Sequence, residues 1–253
     1  MSGHNKWSTI KHKKAAVDAK KGQIFSRYSK EITLAAKSGG KDQDMNPRLR
    51  TAVLAAKSVN MPNDNIDRAI KKGAGELGGA VMEEMLFEGY APGGVGVLAT
   101  CLSDNRNRTA ANVRTIFTKY NGSMAGSGAV SFQFSRKSRF AVEAPGLTED
   151  KLLEILLESG ANVEDVTCEE GSGEVIAGAG DFAIVAKTLE AAKIKITESA
   201  LAMIPGNMME VSDVSLARQA NRLIEALEED DDVQAVYNNL SMTDAVMEQL
   251  ASE

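Results

Sequence analysis

The chain has 253 residues, 43% hydrophobic and 25% charged, which is enough apolar material for two or three cored domains and excludes a disordered chain. Two distant cysteines, Cys101 and Cys168, argue against a disulfide scaffold or a zinc cluster, and both histidines, His4 and His12, lie near the N-terminus, so a Ser/His/Asp or Cys/His site would need that segment to fold over a core. A net charge of −6, evenly spread, would argue against nucleic-acid binding, but Met1 to Lys72 carries a net +10 and Gly73 to Glu253 a net −16.

The first 22 residues have no apolar period. Lys6, Lys11, Lys13, Lys14, Lys20 and Lys21 stand against one acid, Asp18, and both histidines and the only tryptophan, Trp7, lie among them. Such an arm neutralises phosphates through its lysines, and its indole can stack on an unpaired base. The alternative is a solvated tail with Trp7 tucked against the first helix. A basic excess continuing through Arg27, Lys30, Lys37, Arg48, Arg50 and Lys57 favours nucleic acid.

Helical spacing begins at Ile24, Phe25, Tyr28, Ile32 and Ala35 and stops at Gly39-Gly40. Asn46-Pro47 supplies a cap and a helix-starting proline for Leu49, Val53, Ala56 and Val59, which Pro62 closes. Asn63 or Asp64 is expected to cap a third helix through Ile66, Ala69 and Ile70, ending at Gly73. Residues 73–78 match G-x-G-x-x-G, but that fingerprint needs a strand before it and a helix after it; the order here is the reverse, so the segment reads as a hinge.

Alternation then predicts strands over Met85, Phe87 and Gly89 and over Val95, Val97 and Ala99, with a Pro92-Gly93-Gly94 turn between them. Asn105 or Asn107 leads a helix with Ala110, Val113, Phe117 and Tyr120, and a strand is expected over Ala129 to Phe134. Arg106 and Arg108, at that helix start, suit an anion, or equally suit pairing with local acids. From Phe140 the order is strand, helix from Thr148, strands Val163–Glu169 and Glu174–Ala177 joined at Gly171-Ser172-Gly173, helix through Phe182, and strand Ile194–Ile204. That β-α-β-β-α-β order is ferredoxin-like. A helix capped by Asp213 and a strand Val233–Leu240 would complete the earlier sheet, with the acidic run Glu228 to Asp232 as a solvated turn.

The fold class is therefore α/β (α+β) in three domains. The basic arm and three-helix domain take 1–78, a split ferredoxin-like middle domain 79–135 and 207–241, an inserted acidic ferredoxin-like domain 136–206, and a tail 242–253. No apolar run reaches the roughly 18 residues of a membrane span, and no apolar segment follows the N-terminal lysines as in a secretory signal, so a cytoplasmic protein is expected. The expected nucleic-acid-binding residues are Lys6, Trp7, Lys11, His12, Lys13, Lys14, Lys20, Lys21, Arg48, Arg50, Arg106 and Arg108. No catalytic residue, cofactor, metal, membrane or small-molecule substrate is expected.

Several blocks resemble the YebC family. They are Ser2-Gly3-His4-Asn5-Lys6-Trp7 with Ile10-Lys11-His12-Lys13-Lys14-Ala15-Ala16, Asn46-Pro47-Arg48-Leu49-Arg50, Ile66-Asp67-Arg68-Ala69-Ile70-Lys71, Glu88-Gly89-Tyr90-Ala91-Pro92-Gly93-Gly94, Asp104-Asn105-Arg106-Asn107-Arg108-Thr109 and Met203-Ile204-Pro205. Asn5 and Ala91 depart from the common serine and glycine without removing a charge or an aromatic. The resemblance implies a three-domain α/β protein without enzyme activity, described in the family as a DNA-binding transcriptional regulator. The mitochondrial relative is a translational activator, and bacterial relatives act on ribosomes stalled at proline-rich sequences, so the expected partner is promoter DNA or ribosomal RNA. The flexible Lys/His/Trp arm and the acidic C-terminal half lean toward the ribosome.

Overall fold

The structure, a computed structural model, describes residues 19–77 and 82–251. These divide into two compact units, one of 19–27, 82–135 and 205–251, the other of 28–77 and 136–204.

Three helices open the described chain: α1 (Ala19–Gly39), α2 (Pro47–Ser58) and α3 (Asn63–Gly73). Ile32, Ala35 and Ala36 of α1 are buried, as are Leu49, Val53 and Ala56 of α2. Gly40, at φ +86°, ends α1 in the left-handed conformation and returns its N–H to the Ala36 carbonyl. Asn46 joins the two helices: its side-chain oxygen accepts the Leu49 N–H at 3.1 Å, and its amide donates to the carbonyls of Ala35 and Gly40 at 2.8 Å each. The third cap differs from expectation. Pro62 holds the cap position, with no side-chain cap bond, and its carbonyl accepts the N–H groups of Asn65 and Ile66. Proline sets the entry φ, so Asn63 and Asp64 enter the first turn instead.

The Thr33 hydroxyl lies 2.8 Å from the Ser29 carbonyl and 3.2 Å from the Ala69 carbonyl, where α1 meets α3. A Cβ at Gly73 would stand 2.2 Å from the Thr33 carbonyl oxygen. Alanine is favoured over glycine by about 1 kcal/mol in an open helix, but the clash dominates here. Gly73→Ala is expected to destabilise by roughly 1–3 kcal/mol, seen as a lower urea midpoint.

The first unit is built on a sheet of β1 (Glu83–Ala91), β2 (Val95–Ser103), β3 (Ser123–Ala125) and β9 (Val233–Asn238), in the order β3-β1-β2-β9 with every pair antiparallel. Pro92–Gly94 forms the β1–β2 turn, with Gly93 and Gly94 both at positive φ. Helices α4 (Arg106–Lys119) and α7 (Val214–Glu229) cover one face. Val95, Val97, Ala99 and Cys101 form a core there with Val113, Phe117, Ala220, Leu223 and Leu227. Gly89 makes room for α4, since a Cβ there would lie 2.5 Å from the Phe117 ring. Short parallel strands β8 (Met209–Val211) and β10 (Leu240–Met242) pair beside this sheet. In the segment read as a tail, helix α8 (Asp244–Ala251) buries Val246 and Met247 in the same core.

The strand expected over Ala129 to Phe134 is corrected. The sheet takes Ser123–Ala125 as β3, while Ser131–Gln133 is a single 3₁₀ turn. Val130 and Phe134 are buried on either side of that turn.

The second unit carries a sheet of β4 (Phe134–Glu143), β5 (Val163–Glu169), β6 (Ser172–Gly178) and β7 (Lys195–Pro205), in the order β5-β6-β4-β7. With α5 (Glu149–Leu157) between β4 and β5 and α6 (Phe182–Ala191) between β6 and β7, the ferredoxin-like order is present. Strand β4 starts at Phe134, six residues ahead of the expected Phe140, so its first two residues belong to the first unit. The Thr148 hydroxyl caps α5 through the Lys151 N–H. The β5–β6 turn falls on Glu170 and Gly171, both at positive φ as a two-residue hairpin requires, so Ser172 and Gly173 lie in the strand. Phe140, Leu152, Leu156, Val175, Val185 and Leu189 are buried in its core, where the Phe140 and Phe182 rings sit 4.8 Å apart.

Candidate nucleic-acid interface

Lys6, Trp7, Lys11, His12, Lys13 and Lys14 lie outside the described residues, and Lys20 and Lys21 fall in the first turn of α1. Arg48 and Arg50 are occupied locally. Arg48 Nε meets Glu31 Oε1 at 3.0 Å, and Arg50 donates to the carbonyls of Gln43 and Asp44, clasping the loop before α2. Lys41 pairs with Glu76 at 2.7 Å; the hydrogen bond raises the lysine pKa and lowers that of the carboxyl. Lys137 likewise meets Glu164 at 2.6 Å, and Arg139 bonds Glu174 and Glu198.

Other cations of the helical segment are presented outward. Lys37, Lys57, Arg68, Lys71 and Lys72 are exposed. Arg68, Lys71 and Lys72 stand at i, i+3 and i+4 of α3, on one face opposite buried Ile66 and Ala69. The expected residue set omitted these three. Their helical spacing was the available signal, hidden because the same stretch also supplies the apolar positions.

Arg106 and Arg108 separate into two situations. Asn105 caps α4 through its side-chain oxygen, which accepts the Arg108 N–H at 3.1 Å. The Arg108 guanidinium reaches Asp232 Oδ2 at 3.1 Å, Ser103 Oγ at 2.9 Å and Asp104 Oδ1 at 3.3 Å. Hydrogen bonding to Asp232 pushes its pKa further up, fixing the charge. Arg106 is exposed in the first turn, with no hydrogen bond or ion pair among the described residues. Local pairing therefore describes Arg108, and an outward cation describes Arg106.

The acidic run needs a correction of its own. Asp232 is not solvated but 8% exposed. Its carboxylate accepts the Thr109 hydroxyl at 2.8 Å and the Ser103 hydroxyl at 3.1 Å, and its carbonyl accepts the Leu102 N–H at 2.8 Å. It fastens the α7–β9 loop to the β2–α4 junction. Sequence alone could not separate this inward carboxylate from its exposed neighbour Asp231.

A second inward carboxylate organises the loop after β3. Glu88, on the β1 face turned away from α4, accepts the N–H groups of Gly128 at 2.7 Å and of Val130 and Ser131 at 2.8 Å each. Burial alone would push its carboxyl up; the three backbone donors and the Ser131 hydroxyl outweigh that and hold it below the ordinary value. Cys101 is buried, and burial pushes the Cys168 thiol up. Among the described residues no group of three His, Cys, Asp or Glu side chains could hold a metal, and no helix is long and apolar enough to cross a membrane.

The family model described as the TACO1/YebC protein N-terminal domain matches residues 5–76, and that described as the TACO1/YebC second and third domain matches residues 82–240. A "probable transcriptional regulatory protein" of Desulfotalea psychrophila is 49% identical over 251 residues, covering 99% of this chain and 100% of its own. One of the same description from Treponema denticola is 49% identical over 242 residues, covering 96% and 97%. The crystal structure of a conserved hypothetical protein from Aquifex aeolicus superimposes with a TM-score of 0.84 at 44% identity, over 93% of this chain and 96% of that one.

Proposed function

Since this chain belongs to the TACO1/YebC family, we propose that it is a non-enzymatic regulator of gene expression that binds nucleic acid through its basic N-terminal segment. The carrying observation is charge segregation: a net +10 over Met1 to Lys72, against −16 over the rest. Arg68, Lys71 and Lys72 on one exposed helical face support it, because cations at that spacing can meet successive phosphates. The transcriptional descriptions carried by the relatives favour DNA as the ligand.

Ribosomal RNA, with a role in translation, is the second reading. It is favoured by the strongly acidic remainder of the chain, which flanking duplex would repel, whereas an irregular RNA surface can be approached by the arm alone.

The test is binding of the full chain to promoter duplex and to purified ribosomes across a salt series, beside a variant lacking residues 2–18. That deletion removes four lysines and one aspartate. It is expected to make the log K against log salt slope on duplex shallower by about three, at roughly 0.9 per phosphate contact. An unchanged slope and affinity would remove the arm from the interface. Sequence-selective duplex binding without ribosome association would decide for transcription, and the converse for translation.

A further inference from the structure

Phe132 is 76% exposed, while Val130 and Phe134 on either side are 0% and 7% exposed. In a strand, all three would share one face. The 3₁₀ turn Ser131–Gln133 advances the chain about 120° per residue instead, turning the phenyl outward while its neighbours stay buried.

The exposure does not come from slack. Glu88 holds the N–H groups of Gly128, Val130 and Ser131, and the Tyr90 hydroxyl donates to the Ala129 carbonyl at 2.9 Å. The Gln133 carbonyl accepts the Gly206 N–H at 2.8 Å, and its side-chain oxygen accepts from the Asn239 amide at 3.3 Å. Bonds from β1, from the residue after β7 and from the residue before β10 fix a loop whose most prominent side chain is a bare aromatic ring. Phenylalanine has no polar handle, so water gives that ring nothing in return for its exposure.

The surroundings select the partner. Residues 126–133 carry no charge, although they lie in the acid-rich half of the chain. The Glu88 carboxylate that meets the loop is buried and taken up by backbone donors. A protein partner would call for a contiguous apolar patch of several hundred Å². Along the chain Phe132 is flanked by Ser127, Ser131, Gln133 and glycines, and within residues 126–133 it is the only large apolar side chain left exposed. A single flat apolar surface ringed by uncharged hydrogen-bonding groups, with no carboxylate in its segment to repel phosphate, matches an unpaired nucleobase.

We infer that Phe132 is a stacking platform for an unpaired base, so that the first unit reads single-stranded nucleic acid through a residue other than those of the basic arm. This rests on the nucleic-acid reading and adds to it a strand type and a contact. The cations of α4 are no part of this contact. Gly89 faces Phe117 of α4 and Glu88 faces the loop, so helix and loop lie on opposite faces of the sheet.

The experiment titrates the full chain with a 12-nucleotide oligoadenylate and with a duplex of equal length. F132A is expected to lose roughly 5- to 100-fold in affinity for the single strand, the range of one base–aromatic stack, with the salt slope unchanged because no phosphate contact is removed. Its urea midpoint stays at that of the parent chain, since an exposed ring contributes little to folding. In a W7F background, F132W places the only tryptophan on the loop, and its fluorescence should quench on adding the single strand and not the duplex. Equal affinity of F132A and parent for the single strand, or no quench at saturation, overturns the inference and leaves the arm-based reading standing. Failure of the parent chain to bind oligoadenylate, duplex and ribosomes alike overturns both.

Discussion

Replacing Glu88 with alanine should unseat the loop over residues 126–133 and lower the stability of the first unit by roughly 2–5 kcal/mol, since a buried donor stranded without an acceptor costs about 1–3 kcal/mol and a half-buried one less. Three backbone N–H groups lose their acceptor at once, and Val130 is fully buried beside them. Glu88→Gln keeps the size and one acceptor oxygen but forfeits the charge, and a loss of about 1.5–3 kcal/mol is expected. The carboxyl sits below its ordinary value of 4.5, so this stabilisation is complete above about pH 4.5 and is lost as the pH falls through the depressed folded value. Urea unfolding from pH 7 to pH 3 should show parent and Glu88→Gln converging in acid. A constant gap between them would mean that the carboxylate charge plays no part.

Asp232→Ala is the other large loss, roughly 2–4 kcal/mol, from two buried hydroxyls deprived of their acceptor. Ser103 is 1% and Thr109 0% exposed, and both bond the same carboxylate oxygen. Arg108 loses its principal partner but keeps Asp104 and water, so the cost sits in the hydroxyls and not in the cation. Asp232→Asn should recover part of the loss, because one oxygen still accepts. Amide hydrogen exchange provides a local measurement: protection should fall at Leu102 and in the first turn of α4 while the second unit is unaffected. Uniform loss across both units would mean that Asp232 does not act at that junction.

The elements legible in the sequence are those whose causes are local. Asn46-Pro47 marks the start of α2, Thr148 that of α5 and Asp213 that of α7, because capping joins residues two or three apart. The ferredoxin-like order was legible because strand and helix periods alternate over short distances. What escaped depends on partners far along the chain. Glu88 meets donors 40 to 43 residues away, and Asp232 meets hydroxyls 123 and 129 residues away. Asp232 reads as part of a solvated acidic turn, and nothing near Glu88 in sequence marks it as inward. Phe132 falls within the strand expected over Ala129 to Phe134, and only the turn held by those distant bonds faces it outward. Arg108 and Arg106 share one motif, and nothing within it says that the first will find a buried acid while the second points outward.

The hydrogen bond from the Gly206 N–H to the Gln133 carbonyl joins the point where the chain leaves the first unit to the point where it returns. Between them run about seventy residues with a sheet and a core of their own. To the first unit, that whole stretch is the loop of a hairpin: both ends are already paired, so its length adds little to the cost of closing them. The insertion can therefore be exchanged for a short turn, or for another closed domain whose ends lie as near, without asking the β3-β1-β2-β9 sheet to move. The loop that carries Phe132 and the ferredoxin-like insertion can thus change at separate rates, because the ends of the insertion are already paired by that bond.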